Sequence, residues 1–152
     1  MLVHMELTLP RDARYVAMMR NVAGCVLADL DTPEAAADDV QIAITEACAN
    51  AVRHAVGSAE YTVSLSVAAD GCEIEIVDVG PGFDPLGAEL DSFDPDAEDG
   101  RGLYLIRALV DELDYTRVDD RTHVKLTKRW PHVHEGMAAL DGHVPRPGGG
   151  DG

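Results

Sequence analysis

The sequence predicts an α/β sandwich of the α+β kind, with a mixed, mostly antiparallel sheet and helices on one face. Three observations point there. The hydrophobic patterns run β-α-α-β-β-α-β-β, without the strict strand–helix alternation of a doubly wound parallel sheet. Two helical patterns follow each other directly. A hairpin signal, Asp70-Gly71, joins two alternating segments.

The elements follow in chain order. Val3, Met5, Leu7 and Leu9 alternate with His4, Glu6 and Thr8, a half-buried strand that Pro10 ends. From Arg11 to Leu30, the residues Tyr15, Met18, Val22, Val26 and Leu30 recur at steps of three or four, an amphipathic helix. Thr32-Pro33-Glu34 is a start signal, Thr as N-cap and Pro at the first helical position. The helix it opens runs to about Val56, with Val40, Ile44, Cys48, Ala51 and Ala55 as its apolar stripe. Tyr61, Val63, Leu65 and Val67 mark a strand, and Cys72, Ile74 and Ile76 mark the next, closing on Asp78. A Gly/Pro-rich loop begins at Gly80. Residues 84–99 look irregular and carry seven acids and no base. A third helix is expected after Gly100, with Leu103, Ile106, Leu109, Val110 and Leu113 inward. Short strands near 114–118 and 122–128 meet at Asp119-Asp120.

The length of 152 residues suits one domain, read as 1–130. Residues 131–152 hold three of the eight prolines and six glycines, so they read as a flexible Gly/Pro-rich tail. Its His132, His134 and His143 are more economically read as solvated residues than as a metal site. With 12 Lys+Arg against 28 Asp+Glu, the net charge of −16 opposes a phosphate backbone, so no direct nucleic-acid partner is expected. No segment has the length and apolarity of a membrane span, and the N-terminus lacks a basic-then-apolar leader, so a cytoplasmic protein is expected. Cys25, Cys48 and Cys72 are widely spaced and read as buried free thiols.

Three short patterns carry chemistry. Glu46, Asn50 and His54 stand at i, i+4 and i+8, one polar column on the second helix. Glu46 offers a carboxylate able to take a proton from a hydroxyl nucleophile. Asn50 offers a neutral oxygen suited to Mg²⁺. A solvated helix face has the same pattern. Asp78-Val79-Gly80-Pro81-Gly82 follows a strand: a carboxylate there suits an exocyclic amine such as that of adenine, and the glycines allow a flat ring to approach. An ordinary turn uses the same residues. Gly100-Arg101-Gly102-Leu103 opens a helix whose bare N–H groups would attract phosphate, and Arg101 would add charge. A loop-to-helix joint explains that glycine pair equally well.

Taken in order, Glu-x-x-x-Asn, Asp-x-Gly-x-Gly and Gly-x-Gly resemble the N, G1 and G2 boxes of the ATPase superfamily of gyrase, sensor histidine kinases and mismatch-repair ATPases, with its Bergerat-type fold. Glu46-Ala47-x-x-Asn50-Ala51-x-x-His54 and Gly102-Leu103-Tyr104-Leu105-Ile106 are most similar to the bacterial anti-sigma-factor serine kinases, over about residues 3–129. The resemblance implies ATP and Mg²⁺ as cofactors. Glu46 would be the general base and Asn50 the Mg²⁺ ligand. Asp78, Gly80 and Gly82 would form the adenine pocket. Gly100, Arg101, Gly102 and Leu103 would meet the phosphates, and Thr122 would support the adenine. Implied partners are a sigma factor, a serine-bearing anti-anti-sigma antagonist and a second copy of the chain. The acidic lid, residues 84–99, sets a second reading beside the kinase: a nucleotide-gated anti-sigma binding module with little or no phosphoryl transfer. A sensor histidine kinase is a distant third, since only ten residues precede the first helix.

Overall fold

The computed structural model describes residues 1–54, 59–79 and 98–131. Five strands, β1 (Val3–Pro10), β2 (Glu60–Ala68), β3 (Gly71–Val79), β4 (Glu112–Val118) and β5 (Arg121–Arg129), form one sheet in the order β1-β2-β3-β5-β4. Three helices, α1 (Ala13–Asp29), α2 (Glu34–His54) and α3 (Glu98–Leu109), complete the described chain. Every described ladder is antiparallel, so the sheet is simpler than the mixed one expected.

The strand register explains the core. Met5 pairs with Leu65, Leu65 with Ile74, Ile74 with Leu126 and Leu126 with Leu113, an apolar row across all five strands. A second row runs Leu7, Val63, Ile76, Val124 and Tyr115. Because side chains alternate along a strand, these rows share one face. Thr62, Ser64, Glu75 and Lys125 fall on the other. The helices cover the apolar face: α2 lies against β3 and β5, with α1 and α3 packed on it. Val40, Ala43, Ile44, Ala47 and Cys48 of α2 join Val63, Leu65, Ile74 and Leu126 in one buried cluster.

Local contacts set the helix ends. Asp12 caps α1, its side chain accepting from the Arg14 N–H. The Ala37 N–H bonds to the Pro33 carbonyl at 2.9 Å, so helical bonding in α2 begins at the proline. Lys128 Nζ reaches the Leu109 carbonyl at 2.8 Å, satisfying an open acceptor at the α3 C-terminus, and pairs with Asp39 at 2.9 Å.

Four expectations change. The buried stripe of α1 is Val16, Met19, Ala23 and Leu27, about one residue round from the expected one, and Met18 is exposed. Gly24 leaves room for Gln41 of α2, whose Nε2 would lie 2.2 Å from a Cβ there and whose amide donates to the Arg20 carbonyl. The β2–β3 turn is Ala69-Asp70, with Gly71 already paired to Ala68. Gly71 is needed for close approach, since a Cβ would sit 2.6 Å from the Lys128 carbonyl. Cys25 is exposed, whereas Cys48 and Cys72 are buried. Finally, α3 begins at Glu98, so Gly100 and Gly102 lie within its opening turns rather than before it. Val56 and Ala55, most of the acidic segment and nearly all of the tail fall outside the described residues.

Candidate functional site

The two apolar rows of the sheet are followed by a third with different chemistry: Leu9, Tyr61, Asp78, Thr122 and Arg117. Alternation on β3 and β5 demands buried side chains at 78 and 122, and the sequence supplies a carboxylate and a hydroxyl. Asp78 is 8% exposed and Thr122 is 2% exposed. A buried carboxylate is costly without a partner. Arg11, from the β1–α1 junction, provides one. Its Nη2 pairs with Asp78 Oδ1, and its Nη1 donates to Oδ2 at 3.3 Å and to the Ala51 carbonyl at 2.7 Å. The Thr122 hydroxyl has no such partner; its oxygen is buried and makes no hydrogen bond among the described residues. An orphaned hydroxyl beside a carboxylate on the neighbouring strand is a place where a polar ligand or a water completes the bonding.

The helix α2 brings the second group. Asn50 is buried at 8% exposure, one residue before the carbonyl that Arg11 grips. Its Oδ1 accepts from Arg53 Nη2 at 2.5 Å. Glu46, one turn earlier, is half-buried. It opens onto a groove between α1 and α2 lined also by Arg20, Asp38, Gln41, Ile42 and Thr45. Thus Glu46 faces a surface that another chain can reach, while Asn50 lies deeper on the same helix.

Gly100, Arg101, Gly102 and Leu103 are carried by the first turns of α3. On the i→i−4 pattern the N–H groups of residues 98–100 lack partners in the helix, which includes that of Gly100. The N–H of Gly102 meets the Glu98 carbonyl in that pattern. Gly80 and Gly82 lie outside the described residues, as does the segment 84–97. Among the described residues no cluster of three His, Cys, Asp or Glu side chains is arranged for a metal.

Sequence reasoning missed Arg11 and Arg53. Arg53 was within sight, three residues from Asn50 and therefore on the same side of the helix. Arg11 gave no local signal, because its partner lies 67 residues away.

The sequence matches the family described as the histidine kinase-like ATPase domain over residues 9–128. It is 31% identical over 137 residues to the serine-protein kinase RsbW of Bacillus licheniformis, covering 82% of this chain and 84% of that one. With the serine-protein kinase RsbW of Bacillus subtilis it shares 31% identity over 121 residues, covering 72% and 76%. The fold is similar to the solved RsbU and RsbW domains of Rv1364c from Mycobacterium tuberculosis, with a TM-score of 0.64, 21% identity and coverage of 84% of this chain and 32% of that one. The chain belongs to the histidine kinase-like ATPase domain family, in the branch of the RsbW serine-protein kinases.

Proposed function

We propose that the chain is an ATP-dependent serine-protein kinase that also acts as an anti-sigma factor, holding a sigma factor and phosphorylating a serine of an anti-anti-sigma antagonist. The observation that carries the nucleotide assignment is the pair Asp78 and Thr122, an ion-paired carboxylate and an orphaned hydroxyl side by side on the covered face of the sheet. An adenine amine would donate to Asp78, and Thr122 would complete its bonding toward the same ring or a water beside it.

Bound ATP supplies the phosphoryl group, and Mg²⁺ offsets the charge of its phosphates. The remaining work falls to this chain. Asn50 presents the protein oxygen for Mg²⁺, which ordinarily takes few protein ligands beside phosphates and water. That explains why a dense cluster of carboxylates is unnecessary. Asn50 Oδ1 has two acceptor sites, one of them used by Arg53. Arg53, exposed and beside Asn50, would add positive charge near the phosphates. The free N–H groups at the start of α3, with Gly100 and Arg101, are suited to phosphate oxygens. Glu46 takes the proton from the partner's serine hydroxyl, and the α1–α2 groove admits the segment bearing that serine. Residues 1–130 form the catalytic unit and 131–152 a tail. The protein works in the cytoplasm as a homodimer; no described helix is long and apolar enough to cross a membrane.

The test is incubation with labelled ATP, Mg²⁺ and serine-bearing antagonist proteins encoded by the same genome. Glu46→Gln should keep ATP binding within a few-fold while transfer falls on the order of 10²–10⁴-fold. Transfer at the native rate would remove Glu46 as the base. A chain that binds ATP and a sigma factor but labels no antagonist would support the binding-module reading favoured by the acidic segment 84–99.

A further inference from the structure

We propose that Arg11 is a positioning residue for nucleotide recognition: it fixes the Asp78 carboxylate in the orientation that selects adenine and ties that carboxylate to the helix carrying Asn50 and Glu46. This rests on the adenine role of Asp78 given above.

The geometry has three parts. First, both Asp78 oxygens are held by one guanidinium, through Nη2 to Oδ1 and Nη1 to Oδ2. A fork of this kind fixes the carboxylate plane, which a single contact leaves free to rotate. Second, Arg11 is itself anchored. Its backbone N–H bonds to the Ala59 carbonyl at 3.1 Å and its Nη1 to the Ala51 carbonyl at 2.7 Å. Ala51 lies in the last turn of α2, where a cation is favoured. The adenine acceptor on β3 is therefore referenced to the last turns of α2, and the spacing between the base end and the phosphate end of the site is set. Third, both partners are buried, with side chains 10% exposed.

Burial decides between positioning and competition. An incoming amine is a neutral donor, and displacing Arg11 would leave a buried charge unpaired. The amine is better accommodated on the lone pairs that the fork leaves open, since an ionised carboxylate accepts about four hydrogen bonds. Guanine presents a carbonyl oxygen where adenine presents the amine, and a carboxylate held in place cannot swing away from it. Arg11 thus contributes to selectivity without touching the nucleotide.

The experiment measures ATP and GTP affinity by calorimetry, with Mg²⁺, for the full chain and for Asp78→Asn, Arg11→Met, Arg11→Lys and the double variant Arg11→Met/Asp78→Asn, with thermal unfolding as the folding check. Asp78→Asn should cut the ATP preference by about 10-fold or more. Arg11→Met should cut it by a similar factor. Arg11→Lys, a charge without the fork, should fall between native and Arg11→Met. The double variant should match Asp78→Asn within about twofold, because Arg11 acts through Asp78. If Arg11→Met does not fold, Arg11→Lys decides: a native ATP:GTP ratio overturns the proposal. So does a native ratio, or tighter ATP binding, in folded Arg11→Met while Asp78→Asn loses selectivity, and that result leaves the adenine site standing. A native ratio in Asp78→Asn removes the adenine site itself and the role of Arg11 with it. Additive losses in the double variant overturn action through Asp78. A general loss of stability moves both affinities together and leaves their ratio unchanged.

Discussion

The polar side chains that matter here are those the packing treats unequally. Asp78 and Asn50 are buried and held by arginines, Thr122 is buried with no partner among the described residues, and Glu46 stays within reach of solvent. That division suits a site with a closed base end and an open transfer end. The thiols divide in the same way. Burial pushes Cys48 from 9.0 up to about 12, and Cys72 likewise from 9.0 to about 12. Cys25 is exposed. A disulfide-exchange reagent at neutral pH should therefore titrate one thiol in the native protein and three in denaturant. Rapid native labelling of two or more would contradict the packing of α2 or β3. The same burial sets an alkaline limit. The unfolded thiols ionise near 9.0 while the folded ones keep their protons to about 12, so the folded chain binds more protons in that interval. Their contribution is fully present below pH 9 and is lost as pH rises toward 12. Urea midpoints should fall over that window, and the fall should be shallower in Cys48→Ala, measured from the variant's own neutral value.

At the level of elements, two glycines that look alike in the sequence have different jobs. Gly24 lies in α1 against the tip of Gln41, a flexible side chain that is able to move. Gly24→Ala gains helix propensity and loses the Gln41 bond to the Arg20 carbonyl, each worth about 1 kcal/mol, so the net change should stay within about 1 kcal/mol. Gly71 faces the Lys128 carbonyl, part of the β5 backbone. There a methyl group forces strands apart, and Gly71→Ala should destabilise by about 1–3 kcal/mol. Chemical unfolding of the two variants checks the contrast, and an equal loss for both would contradict the close β3–β5 approach at Gly71. The α1 stripe makes a related point. Tyr15, Val22 and Val26 form one apolar line and Val16, Met19, Ala23 and Leu27 form another. Periodicity alone gives no reason to choose between them. The choice comes from packing: α1 lies on α2, and Val16, Met19, Ala23 and Leu27 join the buried cluster.

Across the whole molecule, the β5 C-terminus closes the fold. Trp130 is buried, its Nε1 donates to the Ala69 carbonyl at 3.0 Å, and its N–H bonds to the Asp70 carbonyl at 2.9 Å. Residues 132–152 hold six glycines and two prolines, a composition that disfavours a packed core. A chain ending at 131 should unfold at the same temperature as the full chain. One ending at 129 should lose about 3–5 kcal/mol through the missing indole. Equal losses for both would assign the tail a packing role. The sequence by itself determined the element order, because periods of two and of 3.6 are local properties of the chain. It also determined the family, because motifs such as Glu46-x-x-x-Asn50 are short enough to read along one helix. Tertiary structure alone decided which stripe of α1 is buried, that each described strand pair is antiparallel, and that Asp78 faces Thr122 across a ladder. It alone brought Arg11 to Asp78 and to the Ala51 carbonyl. Those facts depend on residues tens of positions apart meeting at hydrogen-bond distance, and no local pattern in a chain encodes which distant partner a buried charge will find.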